Sequence, residues 1–438
     1  MPRAGEGGEP TPPNAGASTR ERTTLATPLV GAAGAPAAGS RSPRGARGLV
    51  MRVLLVHNRY LLRGGEQEAV EAEAAMLAAG GVDVERLEES NERIAALGRV
   101  RAAARTVWSR EAARSVDRAL AARRPDVVHV HNFFPLLSPA VHHAAARRRV
   151  PVVQTLHNYR LFCLNPTPYR RGRVCTDCLG RAPLPGIVHA CYRDSRLASA
   201  AVAAMLAVHR RLRTWERCVT LFIALSEFSR DVFVRAGLPR ERIEVKVGCV
   251  APDPGAKERP GDGAVFAGRL TAAKGVRTLL AAWRRLEGAV PLTIIGGGPL
   301  EGEVAAASRA VPGVRWRGRV GHQEVLAALR AAAFAVVPAE SFENAPTVVA
   351  EAYATATPVV GSGLGSVGEL IEDGVTGVRF TAGDAAALAA AVSRLAGRPD
   401  EIARMGRAAR RRFEGSFAGD ANARRLLAIY ERAQRLCR

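Results

Sequence analysis

From residue 51 onward the chain alternates two hydrophobic patterns. Short apolar strand-like runs recur at 53–56, 127–130, 152–155 and 221–224, and an alternating one at 82–86, with amphipathic stretches such as 66–79 and 140–148 between them. Runs this short and this apolar fit parallel strands buried on both faces, and the intervening periodicity fits helices. The second half repeats the alternation, with strands expected at 245–247, 264–266, 292–295, 314–316, 335–337 and 359–360. A helix is expected over 276–286, where Leu279, Leu280, Trp283 and Leu286 recur at helical spacing. The pattern predicts an α/β protein with two doubly wound, Rossmann-like domains joined by the Pro- and Gly-rich stretch 251–263. Ligands of such sheets bind beyond the carboxyl ends of the strands, so two of them face a central cleft.

Composition adds three constraints. The formal net charge is +22, which favours polyanionic or phosphorylated partners. Its heavy use of Arg and Ala also fits a GC-rich genome. The most apolar stretch, 198–208, is too short to span a membrane. Residues 1–48 are rich in Gly, Pro, Ala, Ser and Thr without apolar periodicity, so they are expected to be disordered, and Met51 is read as the natural start.

The candidate chemistry lies at predicted strand ends. Glu343 and Glu351 flank the turn Asn344, Ala345, Pro346 and Thr347, with the second glutamate on a helix entered through Pro346. Free N–H groups at a helix start attract phosphate or sugar oxygens, and carboxylates hold sugar hydroxyls. Gly268, Arg269 and Lys274 follow the strand at 264–266. A guanidinium and an ammonium on one loop can neutralise a diphosphate, although a lone Arg and Lys would ordinarily be surface charge. In the first half, Gly64 and Gly65 open a helix, His129 and His131 end a strand on one face, and His157 follows the next strand. The two strand histidines suggest a metal pair, but no third ligand is evident in the sequence.

FAGRLTAAKG at 266–275, IIGGGP at 294–299, WRGRV at 316–320, the 42 residues beginning VVPAESFENAPTVVAEAY at 336 and FAGDANARRLLAIYERA at 417–433 together resemble the retaining glycosyltransferases of family 4. The resemblance runs from residue 51 to the end and implies the GT-B fold. It implies an acceptor-side domain over 51–250, a nucleotide-sugar domain over 264–415, and a closing helix within 416–438 that returns to the first domain. It also implies a UDP- or GDP-linked sugar donor and a glycan or lipid-linked acceptor. Arg269, Lys274, Glu343 and His157 would be catalytic, and Glu351 would bind ribose. Gly64, Gly65, Gly268 and the turn Asn344, Ala345, Pro346 and Thr347 would contact the donor. His129 and His131 would line the acceptor side. Gln323 and the turn at 317–320 are secondary candidates near the base. No Asp-x-Asp motif serves the phosphates, and no catalytic metal is expected. The family usually has Gly-Gly where this chain has Gly365-Ser366, which is expected to tighten the loop near the donor sugar. Other functions considered are a nucleotide-sugar epimerase on the same fold and a non-catalytic polyanion-binding protein.

Two features fall outside that resemblance. Cys163, Cys175, Cys178 and Cys191 have the spacing C-x11-C-x2-C-x12-C within a polar, Pro- and Arg-rich insert. Four thiolates can hold a structural zinc that stabilises such a loop. His189 could replace one ligand, and an iron–sulfur cluster or unligated or disulfide-forming thiols are the alternatives. The stretch 99–124 reads as one arginine-rich amphipathic helix, suited either to peripheral contact with an anionic membrane or to a solvated face. The expected location is cytoplasmic, at the inner face of the membrane, with no nucleic-acid partner.

Overall fold

A computed structural model of the chain describes residues 50–61 and 64–437. The expectation of disorder at residues 1–48 falls outside them.

Two six-stranded parallel sheets form the frame. The first has the spatial order Asp83–Ser90, Arg52–Arg59, Val127–Asn132, Val152–Thr155, Leu221–Ala224, Ile243–Val245. The second runs Val314–Trp316, Leu292–Ile295, Ala264–Ala267, Phe334–Val337, Val359–Ser362, Gly377–Phe380. In each sheet the winding reverses once. The reversal lies between Arg52–Arg59 and Val127–Asn132 in the first sheet, and between Ala264–Ala267 and Phe334–Val337 in the second. Such switch points leave a crevice at the strand carboxyl ends. The histidine loop, the Arg269 loop and the Glu343 turn all leave strands beside these reversals.

The apolar runs explain the sheets. Val53, Leu54, Leu55 and Val56 are fully buried, with alternate residues facing opposite layers. Leu54 and Val56 join the core under Val116 and Phe222, while Val53 and Leu55 meet Leu426, Ile429 and Tyr430. Those three belong to the closing helix Gly419–Cys437, which therefore completes the first domain's core from the far end of the chain. The helix before it, Pro399–Ser416, keeps Met405 and Phe413 in the cores of the second domain.

Three local expectations change. Residues 245–247 do not open the second sheet: Ile243–Val245 is the edge strand of the first, and Gly377–Phe380 supplies the strand the pattern missed. The arginine-rich stretch breaks into Arg99–Val107 and Arg110–Arg123. Ser109 causes the break: its hydroxyl accepts from Ala112 N at 3.2 Å, a helix start rather than a continuation. Trp108 beside it stacks on His209 at 5.6 Å.

Candidate functional site

The loop after Ala264–Ala267 bends sharply at Gly275, whose φ is +72° and whose missing Cβ would collide with Pro338 O. Only glycine suits both conditions, and the bend starts helix Val276–Leu286 directly. This places Lys274 against the next loop, where its Nζ lies 2.7 Å from Glu343 Oε2. Arg269 on the same loop is exposed and makes no ion pair among the described residues. Glu340 is tied in by its N–H to Ala273 O at 3.0 Å and by Thr278 Oγ1, which donates to its carboxylate at 2.6 Å.

Thr347–Ala354 forms the expected helix, preceded by Pro346. Two of the turn's supposed N–H donors drop out. Pro346 has none, and Thr347 N is committed to Ala345 O at 2.9 Å, which leaves Asn344 and Ala345. Glu351 is buried in this helix and meets His322 Nε2 at 3.0 Å. A cavity of about 250 Å³ opens beside that pair, lined by Gly65, Glu68, Pro346, Thr347, Ala350 and the linker at 247–251. Arg269, Lys274, Glu343 and His157 do not line it. The sequence-derived site thus divides into a nucleoside-sized hollow at Glu351 and a charged pair at Lys274 and Glu343. Gly65 faces Thr347, where a Cβ would sit at ordinary contact distance, 3.4 Å from its Oγ1, and neither Gly64 nor Gly268 is crowded, so space alone requires glycine at none of the three.

The first domain answers with a buried polar network. His131 Nδ1 and His157 Nε2 are 3.0 Å apart. His129 bonds Tyr430 OH at 2.7 Å and Thr155 Oγ1 at 2.8 Å. Glu73 lies 3.2 Å from both His129 Nδ1 and His131 Nε2, and Lys246 Nζ meets its other oxygen at 2.9 Å. Lys246 also donates to Asn422 Oδ1 at 2.9 Å. Glu73 is the third ligand-type residue that the sequence did not reveal for the two strand histidines. The Lys246 ammonium already balances its charge. Burial alone would raise the Glu73 carboxyl, but Lys246 and then His131 hold it well below the usual range. Burial, then His131, lowers His129 to about 4 and keeps His157 well below 6.5, so both rings are neutral.

The Glu73 carboxylate thus lies against the ring nitrogens of both strand histidines, and His131 Nδ1 carries the network on to His157 Nε2. Beside the glycine loop, burial pushes the Glu66 carboxyl up to about 8, with Asn158 and Asn132 as its hydrogen-bonding neighbours. His57 is buried in the same region with neither ring nitrogen bonded.

The two sides touch at defined points. Asn344 Nδ2 donates to Leu156 O, Tyr159 OH to Glu343 O at 3.5 Å, and Tyr169 OH to Glu340 Oε2 at 3.3 Å. Glu369 accepts from the N–H groups of Glu227 and Phe228 at the start of helix Glu227–Arg235 (2.9 and 2.6 Å). Ser366 Oγ lies 2.6 Å from Ser226 Oγ. The serine that replaces the family's second glycine therefore ties the domains together.

The four insert cysteines line one small cavity of about 20 Å³, together with Arg170, Asp177 and His189. All are unpaired thiols. Burial, then Cys178, pushes Cys163 up to about 12, and burial also raises Cys178 and Cys191. Four converging thiols suit a soft divalent cation, which would lower those values. Among the described residues, the groups with three ligand atoms within 4.8 Å of one another are Glu73–His129–His131 and Glu68–His322–Glu351, so the sulfurs would have to draw together around an ion.

These features define a glycosyltransferase-type chain of the GT-B architecture. Residues 45–249 match the family model described as glycosyl transferase 4-like domain, and residues 261–398 match glycosyl transferases group 1. The chain is 36% identical over 191 residues to a glycogen synthase of Mycobacterium tuberculosis, covering 42% of this chain and 46% of that one. It is 35% identical over 184 residues to an alpha-maltose-1-phosphate synthase of the same organism (39% and 47% covered). The aligned part thus spans about half the length of these curated relatives. Among solved structures it is similar to Anabaena HepE in complex with UDP-glucose, with TM-score 0.61, 16% identity, and 87% and 100% of the two chains covered. It is also similar to sucrose-phosphate synthase from Thermosynechococcus elongatus, with TM-score 0.62, 16% identity, and 87% and 98% covered. At those identities the structures speak for the fold.

The sequence missed Glu73, Lys246, His322 and Tyr169. For Glu73 a signal existed: it sits on the apolar stripe Val70, Glu73, Ala74, Leu77 of helix Gly65–Ala79, where a carboxylate has no business unless paired.

Proposed function

We propose that the chain transfers a sugar from a UDP- or GDP-linked donor to a glycan or lipid-linked acceptor, with retention at the anomeric carbon as in family 4. The observation that carries this reading is the Lys274–Glu343 pair held by Tyr159 and Asn344 against the His157 loop. It supports a single reaction centre between the two sheets.

In this mechanism Glu351 accepts hydrogen bonds from the ribose hydroxyls. The donor diphosphate draws Lys274 from Glu343 and pairs with Arg269. Released from Lys274, Glu343 and the N–H groups of Asn344 and Ala345 hold the donor sugar. The two cations stabilise negative charge on the departing diphosphate, a contribution that outweighs others in such reactions. They take the part a divalent ion plays elsewhere. His157 hydrogen-bonds a hydroxyl of the donor sugar or acceptor through its neutral ring. No carboxylate is assigned as a covalent nucleophile, and front-face displacement accounts for retention. Gly64, Gly65, His129 and His131 border the acceptor side. Cys163, Cys175, Cys178 and Cys191 would hold a zinc that stiffens the insert. The reaction is placed in the cytoplasm, with peripheral contact to an anionic membrane when the acceptor is lipid-linked. No helix among the described residues is long and apolar enough to cross a membrane.

Thermal-shift titration against UDP- and GDP-sugars tests the donor site. A ligand at a hundred times its Kd should add about 2.7 kcal/mol of stability. The anomeric proton coupling of the product, read by NMR, tests retention. A stabilising donor that yields an altered free sugar without any acceptor would replace this reading with an epimerase. Absence of any donor shift, with salt-sensitive polyanion binding, would replace it with a non-catalytic binder.

A further inference from the structure

The insert and the net charge meet on one surface outside the cleft. Of the nine exposed large hydrophobic residues among the described residues, five lie on three helices and a sixth, Leu212, just beyond: Val100 on Arg99–Val107, Leu184 and Val188 on Leu184–Val188, and Leu197 and Val208 on Arg196–Arg211. The first two helices both pack on the third. Exposure reaches 83% at Val100, 86% at Leu197, 63% at Leu184 and 61% at Val188.

On Arg196–Arg211 the exposed positions between the terminal arginines are Leu197, Ala204, Ala207 and Val208, while Val202, Met205 and Leu206 face the core. An exposed stretch without a polar side chain, flanked by exposed Arg196, Arg210 and Arg211, is unusual for a solvated helix. On Leu184–Val188 the inward position is Gly186, where a Cβ would strike Leu164, so the helix lies flush and turns Leu184 and Val188 away from the core. The charge around these residues is one-sided. Residues 179–213 contain six arginines, all exposed, and one carboxylate, Asp194.

We infer that this face docks on an anionic lipid bilayer and that the cysteine-rich insert is part of the docking module. Exposed leucine and valine ringed by arginine suits a helix lying in the interface, its apolar stripe among acyl chains and its guanidinium groups on lipid phosphates. A second copy of the chain would bring six arginines against six. Nucleic acid would leave the apolar stripe uncovered.

The cysteines acquire a role in this arrangement. Helix Leu184–Val188 lies between Cys178 and Cys191, and Pro185, Gly186 and His189 line the same cavity as the four thiols. A metal ion held by the four thiols would fix the helix that carries Leu184 and Val188. The insert's other end, the hairpin Tyr169–Arg170 and Arg173–Val174, reaches Glu340 beside the Lys274–Glu343 pair. One segment therefore joins the bilayer face to the cleft, which suits a lipid-linked acceptor. This deepens the proposed function and rests on it only for that last step.

The test is co-sedimentation of the full chain with phosphatidylglycerol/phosphatidylcholine vesicles and with phosphatidylcholine vesicles, at two salt concentrations. Expected are binding to the anionic vesicles only, weakening with salt, and a loss of about tenfold or more in the Leu184→Gln/Val188→Gln/Leu197→Gln variant. Removal of metal with a chelator should weaken wild-type binding and leave the triple variant unchanged. Equal binding of wild type and triple variant, binding to neither vesicle, or a dimer that the triple variant abolishes would overturn the docking face. Chelator-insensitive binding would overturn the insert's part in it. Donor thermal shift is read on the same samples. Its absence in wild type would count against the transferase reading without touching the vesicle result, and its persistence in the variant shows that the fold survives.

Discussion

On the second domain, Arg269, Lys274, Glu343 and Glu351 come from loops and one helix start, and each makes at most a few polar contacts. On the first, His129, His131 and His157 sit inside a buried net that reaches Glu73, Lys246 and, through the closing helix, Tyr430 and Asn422. Eight of the nine histidines belong to this domain, with His322 the exception. The contrast separates two kinds of dependence. Arg269, Lys274 and Glu343, which the proposed mechanism gives to the donor, are replaceable without emptying a core, so their loss should register in activity. The first-domain histidines carry structure as well, so their loss should register first in stability.

Acid should draw that line most sharply. Burial lowers His129 and His142 to about 4 from the ordinary 6.5. A folded-state value below the unfolded one means that stability is complete above pH 6.5. It is lost as the pH falls towards 4, because the unfolded chain takes up protons that the folded chain refuses. Each of these two rings contributes about 3 kcal/mol to that loss. Hydrogen exchange followed by mass spectrometry between pH 7 and 4.5 should show the first sheet opening before the second. Simultaneous opening would erase the contrast.

Glu73→Gln comes next. It strands Lys246 as a buried, unbalanced charge, which costs about 3–5 kcal/mol. The melting temperature should fall steeply. In any folded fraction the His131–His157 contact should loosen, which would move the ring signals of both in 15N spectra of histidine-labelled protein. An unchanged melting temperature would show that the net contributes nothing to stability.

Lys274→Ala and Arg269→Ala test the opposite side. Removing one stabilising cation should lower kcat by about 10²–10³ with the melting temperature nearly unchanged, since both side chains are at least partly exposed. Near-normal turnover in both variants would remove the diphosphate role. Glu351→Gln should be milder, weakening donor binding about tenfold, because an uncharged acceptor still accepts hydrogen bonds from a ribose.

The same division explains what could be read from sequence. The sheets were legible because strands such as Leu221–Ala224 are buried along their whole length and so appear as continuous apolar runs. The donor loops were legible because a glycine forced by backbone geometry, Gly275, and charged residues at strand ends stand out locally. The acceptor net was not, because its members are 26 to 301 residues apart and meet only after two sheets and a returning helix have formed. The first sheet's edge strand was grouped by its pattern with the second half's strands for a related reason: Ile243–Val245 is too short for its periodicity to say which sheet it joins.

Ser366 lies on the boundary between the two regimes and should show the smallest effect. Its hydroxyl meets Ser226 Oγ across the domain interface, yet Ser226 also accepts from Ser229 N at 3.0 Å and caps helix Glu227–Arg235. Ser366→Gly, which restores the family's usual Gly-Gly, therefore leaves no buried hydroxyl without a partner. The cost is one neutral hydrogen bond, about 1 kcal/mol, together with the greater chain freedom of glycine. Glu369 still holds the start of the same helix, so the domains should remain associated but open more often. The expected result is a donor KM raised about threefold with kcat preserved, because closure adds to binding while the reacting groups are untouched. A tenfold fall in kcat at constant KM would instead place this hydroxyl next to the reacting sugar, and the boundary between structural and chemical residues would have to be redrawn through the second domain.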